Sequence, residues 1–77
     1  MNPTTIEHPA YDDGAETAQN DRERGYSGPR NPESIAHFAA AFGHVMSQAG
    51  APDSEGYIAS LWTMGYLDGW KAGSRGY

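Results

Sequence analysis

Cysteine is absent from this sequence, which excludes disulfide staples, thiolate zinc sites, iron–sulfur clusters and thiol nucleophiles together. Basic residues are few: five against ten acids, a net charge of −5 and a pI near 4.8, which argues against a surface built to neutralise phosphates. Long apolar runs are also missing. The longest uncharged stretch, from Ser34 to Pro52, contains His37, His44, Ser47 and Gln48 and is too polar for a membrane span of about 20 apolar residues. Met1 to Ala10 carries neither the basic nor the apolar region of a secretory signal, so a soluble, cytoplasmic protein is expected. Hydrophobic residues make up only 38% of 77 positions, which allows one small domain and suggests that only part of the chain folds.

Charge divides the chain in two. Seven of the ten acids lie before Ser34, in a segment that also holds Pro3, Pro9, Pro29 and Pro32 and whose only large apolar residues are Met1, Ile6, Tyr11 and Tyr26. Such a segment buries too little apolar area to offset about 1–2 kcal/mol of backbone ordering per residue. Residues 1–30 therefore read as an acidic, largely flexible arm. A weak helix over 10–24 fits within it, with Asp12, Asp13 and Glu16 toward its N-terminus and Arg22 and Arg24 toward its C-terminus, as the macrodipole favours. Asp12, Asp13, Glu16, Asp21 and Glu23 would form an acidic surface.

Residues 31–77 read as an all-α helical hairpin. Asn31-Pro32-Glu33 supplies an N-cap, a proline at the first helical position and a first-turn acid, and Gly50 followed by Pro52 supplies a stop. Between them Ile35, Phe38, Phe42, Val45 and Ala49 alternate spacings of three and four, one stripe of a helix over about 32–49. Asp53 offers a second N-cap for a helix over about 54–72, on which Tyr57, Ile58, Leu61, Trp62, Met64, Tyr66, Leu67 and Trp70 lie almost all round. The short linker favours an antiparallel pair.

Gly65, Gly69 and Gly73 share one face of that second helix, and Ala36, Ala40 and Gly43 one flank of the first. An interior glycine costs about 1 kcal/mol relative to alanine, so two such ridges point to close helix packing. Tyr57, Trp62, Tyr66 and Trp70 exceed what a two-helix hairpin can cover, and aromatics of this kind are enriched at binding hot spots. Partner binding or homodimerisation through them is the expectation. An arm that folds back to give a three-helix monomer is the alternative.

Catalytic and metal chemistry finds no support in the motifs. His37 and His44 are two turns apart, about 10 Å, too far to chelate one ion unaided, and His8 lies in the arm. Asp12-Asp13 with Glu16 lacks the spacing of a calcium loop. No serine has a nucleophile-elbow context, and Gly14, Gly25 and Gly28 form no phosphate-binding loop. Neither an enzyme nor a cofactor is expected.

One set of elements carries a resemblance. Arg24-Gly25-Tyr26-Ser27-Gly28, then Asn31-Pro32, then Trp62 and Gly65-Tyr66-Leu67-Asp68-Gly69-Trp70-Lys71-Ala72-Gly73 resemble the G-Y-x-x-G, N-P and W-x-x-G-W elements of ribosome modulation factor-like proteins. That resemblance implies a short helical protein associated with ribosomes. The present chain departs from it in its acidic balance and in a longer spacing between the N-P element and the tryptophans. Two functions are thus expected: a small non-catalytic protein-binding module of the accessory or inhibitory kind encoded by phages and mobile elements, engaging a basic nucleic-acid-binding protein, or a ribosome-associated protein. Direct nucleic-acid binding is not expected from the acidic balance.

Overall fold

A computed structural model of the protein describes residues 7–75, with side-chain surroundings given through residue 72. The chain is all-α, with no strand among the described residues. Three helices follow one another: α1 (Pro9–Glu23), α2 (Pro32–Gln48) and α3 (Glu55–Arg75).

Each helix end has a local cause. His8 caps α1, its Nδ1 accepting the Ala10 N–H at 3.0 Å, and Pro9 occupies the first turn, where a missing donor costs nothing. Asn31 caps α2 by accepting the Ser34 N–H at 2.8 Å. The cap of α3 is Ser54, which accepts from Tyr57 at 3.2 Å, while the expected cap, Asp53, is turned to His8 at 2.9 Å. Gly25 and Gly50 end α1 and α2 with φ of 99° and 95°. At both ends the following residue donates back to the helix, Tyr26 to the Asp21 carbonyl and Ala51 to that of Met46, the pattern of a Schellman stop.

α3 is the central element. α1 packs along it more extensively than α2 does, and α1 and α2 scarcely touch each other. From the His8–Asp53 contact at one end to Arg22 on the Gly69 carbonyl at the other, α1 and α3 advance in the same direction. α2 runs against α3, with Gly43 beside Glu55 and Ile35 grouped with Leu67. The result is a thin assembly of 39 × 32 × 17 Å.

The N-terminal segment departs from the largely flexible arm expected of residues 1–30 and follows the alternative: the helix expected over 10–24 is present as α1 and folds back on α3. Residues 9–23 form a full helix because the apolar surface that drives docking belongs to α3. α1 needs only small residues to approach it. Ala10, Gly14 and Ala18, spaced by four, are all buried against the glycine face of α3. A Cβ at Gly65 would collide with the Tyr11 carbonyl oxygen, and one at Gly14 with the Trp62 carbonyl oxygen. At Gly69 a Cβ would stand 2.9 Å from the Ala18 methyl carbon. Gly65 and Gly69 thus pack closely as expected, but against α1. Ala36 and Ala40 are exposed, while Gly43 sits against the Glu55 backbone of α3. Gly73 lies outside the residues whose surroundings are described.

The buried face of α2 is likewise rotated from the expected stripe. Ile35, Ala39 and Gly43 are buried and Phe42 and Met46 border them, whereas Phe38 and Val45 remain 40% and 61% exposed. Gly43 decides this rotation, since only its face lets α2 reach the α3 backbone closely.

Candidate functional site

Three of the four aromatics expected to form a partner surface are interior. Trp62, Tyr66 and Trp70 are buried under α1, and only Tyr57 is exposed, edge-on to His8 with ring centres 6.2 Å apart. With α1 in place the three expose almost no surface to a partner. Trp62 stacks on Tyr66 at 5.4 Å, and its indole Nε1–H donates to Asp13 at 2.7 Å. Arg22 lies over the Trp70 ring at 4.7 Å and donates to the Gly69 carbonyl at 3.0 Å.

The acidic residues separate into two groups. Asp12, Glu16 and Glu23 are exposed, as an acidic surface requires. Asp13 is occupied by Trp62, and Asp21 is only 1% exposed. Asp21 accepts two hydrogen bonds from Arg30, at 2.8 and 2.9 Å, and a third from the Tyr66 hydroxyl at 2.7 Å. The Arg30 backbone N–H in turn donates to the Tyr66 oxygen at 3.2 Å. The Arg30 guanidinium also lies over the rings of Tyr26 and Phe38, so this one side chain ties the connection after α1 to both neighbouring helices.

These contacts shift the groups involved. The hydrogen bonds from Arg30 hold the Asp21 carboxyl below its ordinary value against the opposing effect of burial, and Asp21 in turn raises Arg30. Burial, followed by the Asp21 hydrogen bond, pushes the Tyr66 phenol up. Tyr11, donating to Asp68 at 2.6 Å, is pushed up to about 12, chiefly by that bond. All four groups are engaged in holding helices together. Their shifts are those of structural pairs, and each polar atom named is already partnered.

The histidines are dispersed. His8 bridges α1 to Asp53, His37 is exposed beside the Phe38 ring, and His44 stands 3.6 Å from Glu55 with both side chains exposed. Among the described residues no three histidines, aspartates or glutamates are grouped to hold a metal ion. No helix among them is long and apolar enough to cross a membrane.

Two clefts of similar size remain open, one between α1 and α2 and a second lined by Ser27, Gly28, Pro29, Met64, Leu67 and Trp70. Because α1 and α2 diverge above α3, a cleft of about 460 Å³ lies between them. Phe38, Ala41, Phe42 and Val45 form its apolar wall, Asp13, Thr17 and Asn20 its polar wall, and Trp62 lies between. Periodicity alone assigns Phe38 and Val45 to the core. The ridge Ala39–Gly43, spaced by four like Ala10–Gly14–Ala18, is the sequence signal that places the seam one step round the helix. A smaller apolar hollow on the opposite side is lined by Pro29, Ile35, Ala36 and Leu67.

No family model, curated protein or solved structure matches the chain.

Proposed function

We propose that this chain is a small non-catalytic protein-binding module whose docking surface is the groove between α1 and α2. The observation that supports this reading most directly is the exposure of Phe38 and Val45 along one wall of a concave cleft. Large apolar side chains in a polar-rimmed groove are the usual mark of an interaction surface. The buried aromatics Trp62, Tyr66 and Trp70 act at one remove, by holding the walls in place. An accessory or inhibitory role, of the kind phages and mobile elements encode, suits a domain of this size with an acidic exterior.

Affinity capture with the wild-type chain and with Val45→Glu, both after nuclease treatment, tests the reading. Val45 is more than half exposed, so the substitution should leave the fold intact. A partner retained by the wild type and lost by the variant is expected. Salt-sensitive co-sedimentation with ribosomes, unchanged by Val45→Glu, would instead establish the ribosome-associated alternative.

A further inference from the structure

We infer that a second copy of the chain docks on the outer face of α3, giving an antiparallel two-fold dimer that leaves the α1–α2 groove free. This does not depend on what the groove binds. Tyr57, Ser60, Met64, Leu67 and Lys71 alternate spacings of three and four along α3, and all five are exposed. That is the repeat of a helix–helix seam, here about 21 Å long. Tyr57, Met64 and Leu67 are three of the six exposed large apolar side chains among the described residues, and none of them lines the groove. Met64, Leu67 and Lys71 also line the second cleft, so the face is concave where its largest side chains stand.

A second copy is selected because the stripe complements itself when one copy is reversed, as a two-fold interface requires. An axis level with residue 62 sets Met64 over the small Ser60 of the other copy and Leu67 over its Tyr57. The same axis brings Lys71, the single lysine of the chain, to Asp53 of the other copy. Asp53 does stand at that end of the stripe: its Oδ2 meets His8 at 2.9 Å, and the His8 ring is edge-on to Tyr57. The Asp53 side chain is still 39% exposed. A parallel pair would set Lys71 against Lys71. The other carboxylates are held off the seam. Asp68 accepts from Tyr11, Glu55 is turned to His44, and Asp12, Glu16 and Glu23 lie on α1. A seam this short belongs with weak, reversible interfaces, with dissociation on the order of 10 μM.

Sedimentation equilibrium of the full chain from about 1 μM to about 1 mM provides the test. The mass is expected to rise from that of one chain toward twice that value. Met64→Glu, at a side chain 45% exposed, should keep the chain monomeric throughout with its helicity by circular dichroism unchanged. Lys71→Glu should weaken the dimer by about threefold to tenfold, since two exposed ion pairs are lost together. Val45→Glu should leave it unchanged. The absence of cysteine makes a spin label at Ala72→Cys unique. In the antiparallel dimer two such labels stand about 30 Å apart by helix rise, against about 10 Å in a parallel pair. A monomer at every concentration would overturn the inference, as would a dimer indifferent to Met64→Glu. Loss of the dimer on Val45→Glu would place the second copy in the α1–α2 groove and overturn it too. A short label distance, or a dimer indifferent to Lys71→Glu, would overturn the antiparallel register. None of these results bears on the groove reading, whose own test is a captured partner lost on Val45→Glu and retained on Met64→Glu.

Discussion

Gly65 lies beneath the main-chain carbonyl of Tyr11, so close that no Cβ fits between the two helices. The consequence reaches beyond one contact. With α1 seated this deeply, Trp62, Tyr66 and Trp70 become its floor, and Phe38 and Val45 in the groove beside α2 are left exposed.

Gly65→Ala should therefore destabilise the protein although it improves helix propensity. The gain of about 1 kcal/mol in propensity is outweighed by overpacking of about 1–3 kcal/mol or more, because the obstruction is backbone. Gly56, in the same helix, has open space where a Cβ would stand, with nothing within 4 Å, so Gly56→Ala should stabilise by up to about 1 kcal/mol. Urea midpoints of the two variants, moving in opposite directions, check the placement of α1.

Arg30→Met leaves Asp21 buried without its cation and should cost about 3–5 kcal/mol. The double variant Asp21→Leu/Arg30→Met removes both charges and should recover much of that loss. Chemical denaturation of the two singles and the double measures this coupling. Strict additivity would show that the pair is not held as described.

Stability should fall at both ends of the pH scale. Asp21 is held below its unfolded value of about 3.9, so its contribution is present above that pH and lost as pH falls below it. Tyr11 is raised from 10.0 to about 12, so its contribution is present below pH 10 and lost as pH rises between those values. Melting temperature measured across both ranges should show these limbs. Tyr11→Phe should make the alkaline limb shallower, the remainder coming from Tyr66, whose phenol is also pushed up.

Trp62→Ala and Trp70→Ala should each cost about 3–5 kcal/mol, since each ring is interior. Any loss of partner binding in them would follow loss of fold, visible by circular dichroism. His44→Ala, exposed and only loosely paired with Glu55, should change stability by less than about 0.5 kcal/mol and leave binding intact.

The sequence by itself determined helical class and the local punctuation of the chain. Asn31, Pro32 and Gly50 mark the limits of α2 because caps and left-handed stops are encoded within a few residues. The glycine face of α3 was legible for the same reason: helical spacing alone puts Gly65 and Gly69 on one line. Which helix meets that face was decided only by tertiary structure. Ala10, Gly14 and Ala18 carry almost no hydrophobicity, so no apolar pattern announces α1 as a packing element. Its value lies in the aromatic surface it covers on α3 and in polar side chains that find partners 45 or more residues away, Asp13 on Trp62 and Asp21 on Tyr66. The groove follows from the same cause. Periodicity shows that Phe38 and Val45 share a stripe with Ile35 and Phe42, but only the close approach at Gly43 fixes which edge of that stripe turns inward and which is left to solvent.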